Sequence, residues 1–174
     1  MWIEGQLPAA VVVTGAYGTG KTSVVEEMAD ILEKASLSYA AIDLDWLVWF
    51  EAPEMDQALS DRVFAANLAG VVSNYMSVGV ERYLLAGAIE AQADLDDIRN
   101  SVPMPVRVVR LTVSFDEIAR RLGTAVTAGR ADDLAVAATW VTSATGEGIE
   151  DFTVDNERPI RQVAEEILGW LGWA

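Results

Sequence analysis

The chain has 174 residues and a formal net charge of −15, with 27 acidic side chains against 12 basic ones, which disfavours nucleic-acid backbone and anionic lipid as partners. It contains neither cysteine nor histidine, so disulfides, thiol chemistry and the commonest general base are excluded, and any base must be a carboxylate. No apolar run approaches the ~18 residues of a membrane span, and no basic segment leads into an apolar stretch at the N-terminus. A single domain over residues 1–174, located in the cytoplasm, is the expectation.

In chain order, Ala9-Ala10-Val11-Val12-Val13 reads as a buried strand, and Ser23–Lys34 carries Val24, Val25, Met28, Ile31 and Leu32 at helical spacing. Tyr39–Ile42 reads as a second strand ending at Asp43 and Asp45. A long helix from about Gln57 to Met76 follows, with Leu59, Val63, Phe64, Leu68, Val71, Val72 and Tyr75 as its apolar stripe. Tyr83–Ala86 is a third strand, Ile89–Arg99 a helix, and Val106–Leu111 a fourth strand entered past Pro103 and Pro105. Two helical runs, Asp116–Leu122 and Asp132–Thr142, precede a short fifth strand, Phe152–Val154, and a closing helix Ile160–Leu171 behind Pro159. Such alternation predicts an α/β three-layer sandwich around a five-stranded, mainly parallel sheet.

Between the first strand and first helix lies GAYGTGKT, which fits the phosphate-loop pattern G-x-x-x-x-G-K-[ST] at every fixed position. A chance match arises roughly once in a thousand chains of this composition, and the strand–loop–helix setting is the one the chemistry needs. Backbone N–H groups of Gly15, Ala16, Tyr17, Gly18, Thr19, Gly20, Lys21, Thr22 and Ser23 can wrap the phosphates of ATP at the positive end of the helix. Lys21 would reach the β- and γ-phosphates, and the Thr22 hydroxyl would ligate Mg2+. Ligands of a parallel sheet gather beyond the carboxyl ends of its strands, which brings Asp43 and Asp45 to the same place. They are candidates both for general base toward a hydroxyl and for metal partner, the alternative being that Asp45 caps Trp46–Phe50.

GAYGTGKT, AAIDLDWL and YLLAGAI together resemble the P-loop small-molecule kinases, in particular the adenylylsulfate kinase, gluconate kinase and chloramphenicol phosphotransferase-like branch. The resemblance spans most of the chain and implies the P-loop nucleoside triphosphate hydrolase fold with an adenylate-kinase-like core. It matches Asp43 to the carboxylate that activates the acceptor hydroxyl, and Asp45 to one that contacts acceptor or metal. It also makes residues 120–145 a lid, with Arg121 and Arg130 over the transferring phosphate, although Gly123–Ala128 separates arginines that the family spaces closely. The third strand ends in Ala86-Gly87-Ala88 without the usual second acidic motif, leaving Asp43 or Asp45 to partner the metal. Asn156, after the fifth strand, stands where this fold holds the base; a polar turn before a helix is the other reading.

The expected activity is ATP- and Mg2+-dependent phosphoryl transfer to a hydroxyl of a small molecule. With no basic residue between Lys34 and Arg62, a neutral or cationic acceptor is favoured over a phosphorylated one. A nucleoside or nucleotide kinase and a non-catalytic ATP-binding module of the same fold are the alternatives; D-x-x-G and N-K-x-D, which a GTPase switch would need, are absent. Trp46, Trp49 and Phe50 either line an acceptor pocket or serve the core, and Trp170 and Trp173 either cover the sheet or meet a second copy in a homo-oligomer.

Overall fold

A computed structural model describes residues 7–123 and 130–173, with 130–133 in backbone only. Its elements are β1 (Ala9–Thr14), α1 (Lys21–Lys34), β2 (Tyr39–Asp43), a 3-10 turn Leu44–Leu47, α2 (Gln57–Ser77), β3 (Arg82–Ala86), α3 (Gln92–Ser101), β4 (Val106–Thr112), α4 (Phe115–Gly123), α5 (Arg130–Thr142), β5 (Phe152–Asp155) and α6 (Ile160–Leu171). The strands form one sheet in the order β2-β3-β1-β4-β5. Every neighbouring pair is parallel, so the sheet is wholly rather than mainly parallel.

β1 lies at the centre and all six of its residues are buried, which is why its sequence is an unbroken run of small and branched residues. Its side chains divide by parity between the faces. Ala9, Val11 and Val13 pack with α1 and α6, while Ala10 and Val12 pack with the buried residues of α2 and α3. Truncating a fully buried residue on either face, such as Leu84 or Leu85, would cost about 2–5 kcal/mol. A third, smaller cluster of Ala16, Ile118, Leu122, Ala137 and Trp140 ties α4 and α5 to the loop after β1.

Two expected elements differ. The stripe on α2 is real only in part: Leu68 and Val72 are buried, Phe64 and Val71 pack at the core's margin, and Tyr75 is 40% exposed. A helix of 21 residues runs about 30 Å, whereas a strand of five residues runs about 17 Å, so α2 outreaches the sheet edge that would cover it. The helix expected from Ile89 begins instead at Gln92. Ile89 is a buried loop residue whose N–H donates to Thr14 Oγ1 at 2.9 Å, and Asp94 accepts from the N–H groups of Glu90 and Ala91, which starts α3 three residues later.

Candidate functional site

The loop between β1 and α1 has the backbone its glycines allow. Gly15, Gly18 and Gly20 hold φ of 145°, 80° and 91°, a region that side chains strain. A Cβ on Gly15 would stand 2.7 Å from the Leu111 carbonyl oxygen, and one on Gly20 would stand 2.9 Å from Asn156 Nδ2. The loop is therefore seated against β4 and the segment after β5 as well as curved. Thr19 fastens it internally, donating from Oγ1 to the Ala16 carbonyl at 2.8 Å.

Lys21 opens α1 and turns back over the loop, donating from Nζ to the carbonyls of Gly15 at 3.1 Å and Ala16 at 3.3 Å, with Nζ 5.1 Å from the centre of the Tyr17 ring. Its ammonium is thereby placed where the phosphate chain of a loop-bound nucleotide would run. Thr22, exposed, donates from Oγ1 to Asp43 Oδ2 at 3.0 Å. A hydroxyl and a carboxylate in contact are hard oxygen donors, the chemistry that Mg2+ accepts once phosphate oxygens and water complete its shell. Among the described residues no three carboxylates converge closely enough to hold a metal by themselves.

The acidic pair separates by occupation. Asp43 uses both oxygens: Oδ2 takes Thr22, and Oδ1 takes the Asp45 N–H at 3.1 Å, so the turn Leu44–Leu47 is capped by Asp43 and not by Asp45. Asp45 is left facing a cleft of about 670 Å³ that Tyr17, Val48, Phe64 and Glu90 also line. Surrounding protein that strips water from its carboxyl raises its pKa, the Asp43 charge raises it further, and Lys21 pulls it back. The turn sits close under β3 because residue 87 is glycine: a Cβ there would lie 2.8 Å from Leu44 Cδ1.

Arg121 and Asn156 meet behind the loop. Asn156, 5% exposed, donates from Nδ2 to the Thr19 carbonyl at 2.7 Å. Arg121 donates to the same carbonyl at 3.2 Å and to the Asn156 carbonyl at 2.7 Å. Glu117 fixes the guanidinium through Arg121 Nε at 2.8 Å, and hydrogen bonds from Arg120 and Arg121 hold the Glu117 carboxyl down at a pKa of about 2. In this structure both residues support the loop. Arg130 begins α5, and its side chain lies outside the described residues, as do residues 124–129 of the expected lid.

Trp46 and Trp49 do not line the cleft. They stand 68% and 75% exposed with ring centres 4.8 Å apart. Trp173 is buried in the core beside α1 and α6, and Trp170 stacks on Phe152, so these two serve the fold. Cleft residues the sequence reading passed over are Asp61, Glu90, Asp94 and Asp97. The rule that ligands gather beyond strand ends applies as much to the segment after β3 as to the one after β2, and would have pointed to Glu90.

No family model matches the chain, and no curated protein matches it. Solved structures do. A gluconokinase from Sinorhizobium meliloti superposes with a TM-score of 0.61 at 23% identity, covering 94% of this chain and 91% of that one. A shikimate kinase from Bacteroides thetaiotaomicron gives 0.61 at 16% identity, with 94% and 98% covered. The chain has the fold of the P-loop small-molecule kinases. An APS kinase from Mycobacterium tuberculosis, in complex with AMPPNP and APS, gives 0.60 at 18% identity with 94% and 96% covered. All three span nearly the whole chain, so the likeness extends past the phosphate loop to the helices that flank the cleft. Among the described residues no helix is long and apolar enough to cross a membrane.

Proposed function

We propose that the protein is a kinase that moves the γ-phosphoryl of ATP, bound with Mg2+, to a hydroxyl of a neutral or cationic small molecule. The observation that carries this reading is the Thr22–Asp43 hydrogen bond, which joins the phosphate loop to the acidic end of β2, two residues before Asp45 of the cleft. Bound Mg2+ would supply charge neutralisation between the phosphate oxygens. Thr22 would hold it directly and Asp43 through water, since Asp43 already touches Thr22.

Asp45 is the better base. Both oxygens of Asp43 are engaged, whereas no described side chain holds the Asp45 carboxylate, and its raised pKa suits a group that takes a proton. In the step, the acceptor oxygen forms a bond to the γ-phosphorus, the bond from that phosphorus to the β-bridging oxygen breaks, ADP leaves with the electron pair, and the hydroxyl proton passes to Asp45. Lys21 would neutralise the β- and γ-oxygens. Residues 120–145 would act as the lid, with Arg130 its arginine toward the phosphate and Arg121 acting through the loop it braces. Asn156, bonded to Thr19, would border the base from below.

Mg-ATP titration by calorimetry and ADP release across a panel of hydroxyl compounds test the reading. Mg-ATP should bind, turnover should rise with an acceptor, and Asp45→Asn should lose turnover while keeping ATP affinity. ATP binding with turnover indifferent to Asp45→Asn would leave a nucleotide-binding module, and absence of ATP binding would overturn the phosphate-loop reading itself.

A further inference from the structure

The acceptor cleft is more acidic than the chain that forms it. Five of its fourteen lining residues are carboxylates, Asp45, Asp61, Glu90, Asp94 and Asp97, against 27 of 174 in the whole protein. No lysine or arginine lines it among the described residues. Among the described residues none of the five carboxylates forms an ion pair. Asp61 takes only a neutral amide, from Gln57, and Asp94 takes backbone N–H groups. Basic side chains elsewhere are neutralised in pairs, Arg107 with Asp151 and Arg158 with Glu166. An acid-rich surface is the ordinary outcome of this composition. Concentration of unpaired acid at about twice the chain average, in a cleft that Tyr17 of the phosphate loop and Asp45 both line, is not.

A metal ion does not account for it, because no three of the described acidic groups converge on one point. Their charges are spread, as the charges of a larger ligand would be. A second compartment of about 280 Å³ adjoins the cleft, sharing Glu90 with it and lined by Thr139, Trp140 and Thr145. Trp140, 4% exposed, closes that compartment with an aromatic wall.

We infer that the acceptor is a polyhydroxylated compound bearing two or more ammonium groups and longer than a single ring, whose cations meet Glu90, Asp97 and their acidic neighbours while one hydroxyl lies at Asp45. This rests on the kinase reading of the same cleft. Carboxylates gathered along one cleft attract cations more strongly than isolated surface charges do, and the −15 field of the molecule adds a long-range pull.

The test uses the full chain with Mg-ADP and three probes in calorimetry: neomycin as polyamine polyol, maltotriose as a neutral polyol of similar size, and gluconate as an anionic one. Neomycin should bind at least about a hundredfold more tightly than maltotriose at low salt, and the advantage should shrink as salt rises. Glu90→Gln and Asp97→Asn, which keep shape and remove charge, should each lower neomycin affinity about tenfold. Glu33→Gln, on the far side of the sheet, should not move it. Preference for maltotriose or gluconate, or neomycin affinity that falls equally with Glu33→Gln, overturns the inference. Mg-ATP affinity measured in the same samples keeps the two readings apart, since its loss would sink the kinase assignment and its retention with a neutral preference would sink the cationic acceptor alone.

Discussion

The two walls of the cleft are built on different principles. On the nucleotide side, backbone does the work: three glycines in left-handed conformations, a loop seated against Leu111, and a Thr19 carbonyl that receives both Arg121 and Asn156. On the opposite wall side-chain charge stands out: α2 buries only Leu68 and Val72, and five acidic residues line the cleft. A phosphate chain is the same in every use of ATP, so its site can be fixed by main-chain geometry. An acceptor is recognised by its own shape and charge, which only side chains on a tolerant surface can match.

If that contrast holds, the largest effect belongs to Lys21→Ala. Turnover should fall about a thousandfold because the charge on the β- and γ-oxygens loses its cation, while the fold persists. Steady-state kinetics beside a thermal melt decide it; wild-type turnover would break the contrast at its firmest point.

Next is Asp45→Asn, expected to lower kcat by about a hundredfold or more. In the wild type the acid limb of kcat/KM should lie above the ordinary aspartate value of 3.8, since the carboxylate must be ionised and its pKa is raised. The sign for stability is opposite to that of a salt-bridged acid. A raised folded pKa favours the fold below the unfolded value and that gain is lost as pH rises through the folded one, so the ionised group is a burden at neutral pH. Asp45→Asn should therefore melt no lower than wild type at pH 7 despite its lost activity, and a large drop in Tm would mean Asp45 is structural.

Arg121→Ala sharpens the comparison from the other wall. Losing its bonds to Thr19, Asn156 and Glu117 should cost about 2 kcal/mol, a Tm drop of roughly 4–8 °C, with KM for ATP rising more than kcat falls. A thousandfold loss of kcat at unchanged Tm would instead put the guanidinium on the transferring phosphate. The same brace is acid-sensitive. Glu117 is held down to about 2, so its contribution is present above the usual carboxylate range and is lost as pH falls toward that value.

The smallest effect is expected at Asp56→Ala, which removes the side chain that accepts the Leu59 N–H at 2.7 Å and starts α2. About 1 kcal/mol of stability should go, read by chemical denaturation, with a modest rise in acceptor KM and none for ATP. A rise in ATP KM would show that the two walls are coupled.

Some of this molecule was written locally. The phosphate loop was legible because its function depends on residues adjacent in sequence, with glycine, lysine and threonine at fixed spacing between a branched run and a helix. The strands were legible because a fully covered parallel sheet leaves apolar runs with no alternation. Helix starts were less so: Ile89 fits a helical pattern, but the Thr14 hydroxyl, 75 positions earlier, claims its N–H. The different hydrogen bonding of Asp43 and Asp45 was likewise invisible, since two aspartates in D-L-D are equivalent until Thr22 takes one of them. Sequence by itself determined the phosphate-loop motif and the class of fold, because both follow from short-range pattern. Only the tertiary structure decided which carboxylates share the cleft, that Arg121 and Asn156 brace the loop, and that Trp46 and Trp49 stand outside the cleft, because these depend on how distant elements pack and no local spacing encodes that packing.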